Sequence, residues 1–283
     1  MSFNPRVSIV IPVYNGSDFL SEAINSALSQ TYKNIEIIVI NDGSSDKDAT
    51  EKIVKSYGSR VRYFYQDNGG VASALNLGIK KMNGQYFSWL SHDDVYYPNK
   101  VQAQVDFLKK LKNKSVVLYS DFDLIDGTSK VFRSVKINPI PSERFQFALI
   151  ISSPVSGCTT LVPKTILDKA GLFKESLITI QDYDMWFRIA EKYGFVHIPR
   201  ILIKSRQHPN QGINKMSTLC RKEGNVFYTR IISQLSPSKI LQISNQKPSK
   251  FFLACAFGLY KKGYKKSSLL AFKMFLGLRE NSY

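Results

Sequence analysis

The hydrophobic positions change period along the chain. Val-Ser-Ile-Val-Ile-Pro-Val (7–13) is an unbroken β-branched run, the pattern of a strand buried on both faces. Asn15-Gly16 interrupts it, and Ser17 is placed to cap a helix whose apolar positions Leu20, Ala23, Ile24, Ala27 and Leu28 recur at helical spacing. The alternation then repeats. A strand at 35–40 meets the polar loop Asn41–Asp46 and a helix starting near Asp46. A strand at 61–65 leads through Gly-Gly to a helix carrying Ala74, Leu77 and Ile79. A strand at 85–90 runs into Ser91-His92-Asp93-Asp94 and a helix from about 99 to 112, and a strand at 116–120 closes the set. Such alternation predicts an α/β fold with a mostly parallel, doubly wound sheet flanked by helices. After residue 120 it weakens to a helix near 142–152, a strand at 159–163, a helix over 181–193 and a strand over 195–203. Beyond 215 only helical spacing remains. The expected organisation is therefore an α/β domain over 1–215 and a helical extension over 216–283, with no internal repeat.

Charge changes this picture more than bulk composition does. With 43% hydrophobic and 22% charged residues the chain has ordinary globular composition, but its net charge is +17. Residues 201–283 hold 15 Lys and Arg against two acids, Glu223 and Glu280, a balance of +13. A near-neutral body with a basic tail argues against a uniformly basic nucleic-acid-binding domain, so no nucleic-acid partner is expected. Cys158, Cys220 and Cys255 are dispersed and odd in number, which fits a reducing cytosol and excludes a thiolate zinc site or disulfide framework. Met1 leads within a few residues into the first strand, so no secretion signal is expected. The most apolar run, 251–260, has half of the ~20 residues a membrane-spanning helix needs. The expected location is cytoplasmic.

In an open parallel sheet, ligands bind beyond the carboxyl ends of the strands. Here those ends carry Tyr14-Asn15, Asn41-Asp42, Asn68 and Ser91-His92-Asp93-Asp94. Each alone reads equally as a turn or a helix cap; polar groups at every strand end read as a site. The first strand is followed neither by a glycine-rich dinucleotide fingerprint nor by a phosphate loop, which argues against a nicotinamide dehydrogenase or an ordinary nucleoside triphosphatase. Carboxylates beside a diphosphate need a divalent cation between them, Mn²⁺ or Mg²⁺ for oxygen donors.

The segments VSIVIPVYN, IEIIVINDGSSD, NGGVASALNLGI, WLSHDDVYYP and QDYDMWFRIA, in this order over about residues 5–215, resemble family 2 glycosyltransferases of the GT-A fold. The resemblance implies a nucleotide-sugar donor, usually a UDP-sugar, and transfer with inversion, with a donor half over about 1–120 and an acceptor half over about 121–215. It places Pro12, Tyr14 and Asn15 beside the base, gives Asp42 a hydrogen bond to it, and sets Asn68, Gly69 and Asn76 around the nucleoside and phosphates. Asp93 matches the metal-binding position of the family's Asp-x-Asp. Ser91 replaces its first carboxylate, so the ribose contact is altered here, and His92 reads either as a ribose or phosphate contact or as a structural histidine in a turn. Asp182 matches the carboxylate that takes the acceptor's proton, with Asp184 in reserve; the other reading of Asp182 is a helix cap. Ser-Arg-Gln-His-Pro (205–209) resembles the segment in which arginine, here Arg206, meets the diphosphate and histidine, here His208, completes the metal shell. The alternative is a solvated basic loop. An imidazole ligand favours Mn²⁺. Trp186 and His197 read as structural.

The resulting expectation is an inverting hexosyl- or N-acetylhexosaminyltransferase. Its acceptor would be a glycan hydroxyl, in particular on a lipid-linked oligosaccharide of a bacterial surface polysaccharide. The Gln-x-x-Arg-Trp motif of processive synthases is missing, so one sugar per encounter is expected. The tail reads as a helical hairpin with a basic turn at Gly263-Tyr264. It either docks peripherally on the anionic inner face of the membrane or packs on the body with a solvated basic face. The competing functions are a sugar-phosphate nucleotidyltransferase, which would usually show a glycine-rich basic loop after the first strand, and a non-catalytic polyanion-binding protein.

Overall fold

Val7–Val13 forms strand β1, and all of it is buried, as its unbroken apolar run requires. In the computed structural model, which describes residues 3–209, 211 and 215–280, β1 is the middle of a five-stranded sheet. β2 (Ile35–Asp42), β3 (Arg62–Gln66) and β4 (Tyr86–Trp89) join it in parallel, in the order β3-β2-β1-β4. Helices α1 (Leu20–Leu28), α2 (Ala49–Ser56) and α3 (Gly70–Lys81) connect these strands. Pro12 pairs with Ile40 and Val13 with Asn41, so the loops after β1 and β2 leave the sheet at one level. That level is where the candidate residues sit.

The sequence places 116–120 in the parallel sheet, and there the structure differs. β5 (Val95–Tyr96) and helix α4 (Lys100–Lys110) follow β4, and β6 (Val116–Ile125) then enters a second sheet of order β5-β9-β6-β7, with β7 (Val131–Val135) and β9 (Gly194–Arg206). The cause is local. Asp126 Oδ1 accepts the N–H groups of Thr128 and Lys130 and closes a turn, so β6 returns at once into an antiparallel partner, β7, instead of a crossover helix. The free edge of β4 is taken by the two-residue β8 (Val162–Pro163), antiparallel. The strand expected from 159 shortens because the Thr159 and Thr160 hydroxyls bond back to the Ser156 and Gly157 carbonyls, winding 157–159 into a 3₁₀ turn.

The chain divides into two compact units. The sheet unit comprises 1–138, 155–178 and 195–209, and includes α6 (Lys164–Ala170). The helical unit comprises 139–154, 179–194 and 210–283. It holds α5 (Phe145–Ile151), α7 (Gln181–Ile189), α8 (Ser217–Gln234), α9 (Pro237–Ser244), α10 (Pro248–Lys261) and α11 (Lys265–Glu280). A boundary at 215 therefore cuts through a packed body: α5 and α7 bury apolar faces that need the tail. Phe147 lies 5.2 Å from the Phe251 ring, Phe187 lies 6.0 Å from Phe227, and Trp186 is fully buried as a core residue. α10 and α11 form the expected hairpin, turning at Gly263. No described helix is long and apolar enough to cross a membrane.

Candidate functional site

In the sheet unit the loops after β1, β2 and β3 are tied to one another by the residues the sequence singles out. Asn15 donates its N–H to Ser44 Oγ at 2.9 Å and accepts the Ser45 N–H at 2.7 Å, fixing the first loop to the second. Asn41 accepts the Ser44 N–H. The Asp42 carboxylate, at the end of β2, accepts Gln66 Nε2 at 2.6 Å and the N–H groups of Gly69 at 3.0 Å and Gly70 at 2.8 Å. It thereby satisfies unpaired donors where α3 begins and shapes the loop carrying Asn68 and Gly69, which are exposed. Gly43 sits at φ +71, and a Cβ there would lie 2.6 Å from the Asn68 nitrogen, so only glycine lets these two loops meet. Pro12 is buried at the end of β1, and Tyr14, beyond it, is 47% exposed. An open aromatic ring beside a rigid polar loop is a surface on which a flat base can stack.

Asn76 is a correction. It was expected near the nucleoside and phosphates, but it is buried, and its amide is taken by protein. Nδ2 donates to the Phe173 carbonyl at 2.9 Å and Glu175 Oε1 at 2.8 Å, and Oδ1 accepts the Phe173 N–H at 2.9 Å. It holds the segment around 173–175.

The metal-ligand pair named from sequence, Asp93 and His208, comes together: His208 Nε2 lies 3.2 Å from Asp93 Oδ2. Among the described residues no group of three His, Cys, Asp or Glu side chains gathers to hold an ion. One carboxylate and one imidazole nevertheless fit a divalent ion whose remaining positions are filled by substrate phosphates and water, because such ions take one or two protein ligands beside a diphosphate. Both side chains are largely buried and retain some exposure, 13% and 14%, so the pair opens to solvent on one side.

Arg206 departs from expectation. It has no exposed surface and its donors are bound within the protein, so it does not present a guanidinium to a diphosphate. Nε donates to the Asp93 carbonyl at 2.8 Å, Nη1 to the Asp126 carbonyl at 2.9 Å and Ser129 Oγ at 3.0 Å, and Nη2 to Glu22. Its main-chain N–H donates to Asp94 Oδ1 at 2.9 Å, and its guanidinium stacks 4.2 Å over the Phe19 ring, which also lies 5.1 Å from His208. Arg206 thus holds the main chain of Asp93 and packs on the ring that lies beside His208. Planar, five-donor geometry makes arginine, not lysine, the residue for this task.

Ser91 bonds to Cys158 Sγ at 3.2 Å. His92 packs on Gly16, where a Cβ would approach its Cδ2 to 2.5 Å. Burial pulls the His92 imidazole below its ordinary range, against the charge of Asp93. His197 is structural, as expected: it lies in β9 with Nε2 2.7 Å from Asp121 Oδ1.

In the helical unit, Asp182 stands in the first turn of α7 and accepts the Tyr183 N–H at 2.8 Å. It is not the helix cap: the cap position is Ile180, and no side chain caps this helix. Burial pushes the Asp182 carboxyl up to about 6, against its main-chain hydrogen bonds and the charge of Lys262. Asp184 is 1% exposed and is paired with Arg188 Nε at 2.7 Å and, more distantly, Arg230 at 3.9 Å. Of the two carboxylates, Asp182 has the environment of a proton acceptor working near neutrality.

Sequence reasoning missed Glu22, Ser129, Cys158, Lys100 and Lys262. Glu22 and Ser129 carry no local signal, and only the three-dimensional path of Arg206 gives them a role. Lys100 follows Pro98-Asn99 like any helix-start lysine, yet it is fully buried. It donates to Ser88 Oγ and the Thr160 carbonyl and lies 4.1 Å over the Tyr96 ring.

Comparison with known proteins bears on this arrangement. The family model described as glycosyl transferase family 2 matches residues 8–171. An uncharacterized glycosyltransferase of Rickettsia typhi is 45% identical over 96% of this chain and 86% of its own length. One of Rickettsia conorii is 44% identical over 95% of this chain, which spans only 45% of that protein. Among solved structures, S. aureus TarS in complex with UDP-GlcNAc superposes with a TM-score of 0.67 at 18% identity, over 90% of this chain and 73% of that one. A mannosyltransferase of Pyrobaculum calidifontis in complex with GDP-Man and Mn²⁺ gives 0.60 at 14% identity, over 95% and 74%. These two share the fold, and the GT-A architecture expected from the motifs is the one observed. The extent of the family match, together with relatives named glycosyltransferases, decides against the nucleotidyltransferase reading: the chain belongs to glycosyl transferase family 2.

Proposed function

We propose that this enzyme transfers a sugar, with inversion, from a UDP-sugar to a hydroxyl of a glycan acceptor, one sugar per encounter. The observation that carries the reading is the pairing of Asp93 with His208, 115 residues apart in sequence, at 3.2 Å in the sheet unit that also holds the Asp42 loop. Tyr14, with Pro12 and Asn15 behind it, receives the base, and Asp42 and Asn68-Gly69 order the loop against which the nucleoside lies. Asp93 and His208 would hold a divalent ion, Mn²⁺ by preference, which would supply positive charge to the diphosphate as the bond between the anomeric carbon and the phosphate oxygen breaks. Asp182 accepts the proton of the attacking hydroxyl, which approaches the anomeric carbon opposite the departing UDP, so no covalent enzyme intermediate forms. The donor class is supported by the UDP-GlcNAc bound to TarS.

The acceptor proposed is a lipid-linked oligosaccharide. In support, the UDP-Glc:alpha-D-GlcNAc-diphosphoundecaprenol beta-1,3-glucosyltransferase of Escherichia coli is 29% identical over 65% of this chain and 69% of its own length. The exposed apolar side chains of the tail, Phe257 and Tyr260 on α10 and Leu269 and Phe272 on α11, interleaved with exposed Lys261, Lys265, Lys266 and Lys273, suit peripheral contact with an anionic membrane. Thermal shift and calorimetry against a panel of UDP-, GDP- and dTDP-sugars, with and without Mn²⁺, test the donor. Mn²⁺-dependent binding of at least one UDP-sugar is expected. Binding that is indifferent to metal, or restricted to another nucleotide, overturns the assignment.

A further inference from the structure

The C-terminal hairpin carries a lysine that its position does not explain as surface charge. Lys262 follows α10, beside the exposed Lys261, but its ammonium is turned inward. Nζ donates to the carbonyls of Leu149 at 3.0 Å and Ser152 at 2.9 Å and to Tyr228 Oη at 2.6 Å, with the Ile150 carbonyl at 3.4 Å. The rings of Tyr228, Tyr183 and Tyr264 surround it, at 4.3, 4.9 and 5.8 Å. The carbonyls belong to the last turn of α5 and the residue after it, where a helix leaves acceptors unpaired and its dipole favours a cation. Three donors therefore meet three strong acceptors and three aromatic faces. Tyr183, whose ring forms one wall, is the neighbour of Asp182.

We propose that Lys262 is a positioning residue for Asp182: clamped on the end of α5, its ammonium packs on the ring of Tyr183, whose N–H holds the Asp182 carboxylate, and brings positive charge beside that turn, favouring the ionised form that takes the acceptor's proton. The inference rests on Asp182 being the base. It makes the C-terminal hairpin part of the catalytic machinery as well as of the core. The electrostatics agree with the geometry. The charge of Lys262 lowers Asp182 against the burial that raises it, and burial pulls Lys262 down to about 7 while Asp182 opposes that pull. The other titratable groups acting in this cluster are Tyr183 on α7, Cys220 and Tyr228 on α8, and Tyr264 in the hairpin turn. Burial raises the three tyrosines, so they stay uncharged near neutrality. Asp184, in the same first turn of α7, is tied to Arg188 and Arg230.

The test compares Lys262→Gln, which retains a donor for the carbonyls without the charge, with Lys262→Arg, which retains the charge. The acid limb of kcat/KM in the Gln variant is expected to move upward by about half a pH unit, while the Arg variant keeps the wild-type limb. A structural role alone lowers activity equally at every pH and leaves the limb in place, and that result overturns the inference. Asp182→Asn is run beside them. If it transfers at the wild-type rate, the base assignment itself falls; if it is inactive and Lys262→Gln has an unmoved limb, only the Lys262 inference falls. Should the Gln variant not fold, NMR of the labelled Asp182 carboxyl and Lys262 ammonium in the wild-type protein decides. Coupling requires the Asp182 signal to report a second step as Lys262 titrates, and a single-step curve contradicts it.

Discussion

The two units each hold a candidate carboxylate, and they surround it differently. Asp93, in the sheet unit, keeps a partly open side, faces an imidazole, and has its main chain held by a buried arginine. Asp182, in the helical unit, is likewise half-buried, but burial draws its carboxyl up to about 6, with the charge of a lysine restraining the rise. A group that must carry negative charge for an ion benefits from water, donors and positive neighbours. A group that must accept and release a proton near neutrality benefits from a dry site and a weak counter-charge. The chemistry of aspartate is the same in both; under the proposed function, environment divides the labour.

The largest effect is expected at the open carboxylate. Asp93→Ala should lower donor turnover by about a thousandfold or more and abolish its response to Mn²⁺, measured as UDP release. A variant that keeps metal-dependent release places the ion elsewhere. The arginine that holds its main chain comes next. Arg206→Met strands the carbonyls of Asp93 and Asp126 and should cost about 3 kcal/mol in urea unfolding, with weakened Mn²⁺ binding in the fraction that folds. An unchanged unfolding midpoint would show that the arginine is dispensable to the loop.

Much of the sheet unit was legible in the chain. The run 7–13 could only be a doubly buried strand, and polar residues at successive strand ends had to converge once the strands were parallel. What was not legible depends on long-range partners. Arg206 in an exposed-looking Ser-Arg-Gln-His segment reads as a ligand for phosphate, because nothing local announces that Glu22, Asp126 and Ser129 will surround it. Asn76 reads likewise, until the segment at 173–175 takes both ends of its amide. β6 left the predicted sheet because a short Asp126 turn outcompeted a crossover. Lys262, one of four lysines around Gly263, is distinguished from its neighbours only by which way the helix turns it.

Two smaller effects concern groups whose protonation burial moves. Asp182, drawn up to about 6, gives kcat/KM an acid limb near that pH, falling about tenfold per unit below it as the carboxylate is protonated. A limb near the ordinary aspartate range would mean that the working base is solvated. The smallest effect concerns Lys100, the sheet unit's buried lysine, pulled down to about 7 by burial with no carboxylate opposing it. A lysine depressed in the folded state adds stability that is complete above its unfolded value and is lost as pH falls through about 7. The wild-type urea midpoint should therefore rise from pH 7 to 8.5. In Lys100→Met that rise should shrink by about half, with Lys262 supplying the remainder. An identical rise in both proteins would mean that Lys100 keeps its proton in the folded state.

The measurement that bears most directly on the division of labour is the separation of donor binding from transfer in Asp182→Asn. Calorimetry with a UDP-sugar and Mn²⁺ should give the wild-type affinity, while transfer to acceptor falls by about a hundred- to ten-thousandfold. Transfer at the wild-type rate, or a loss of donor affinity equal to the loss of transfer, would contradict the account of Asp182 as the base that acts after the donor is bound.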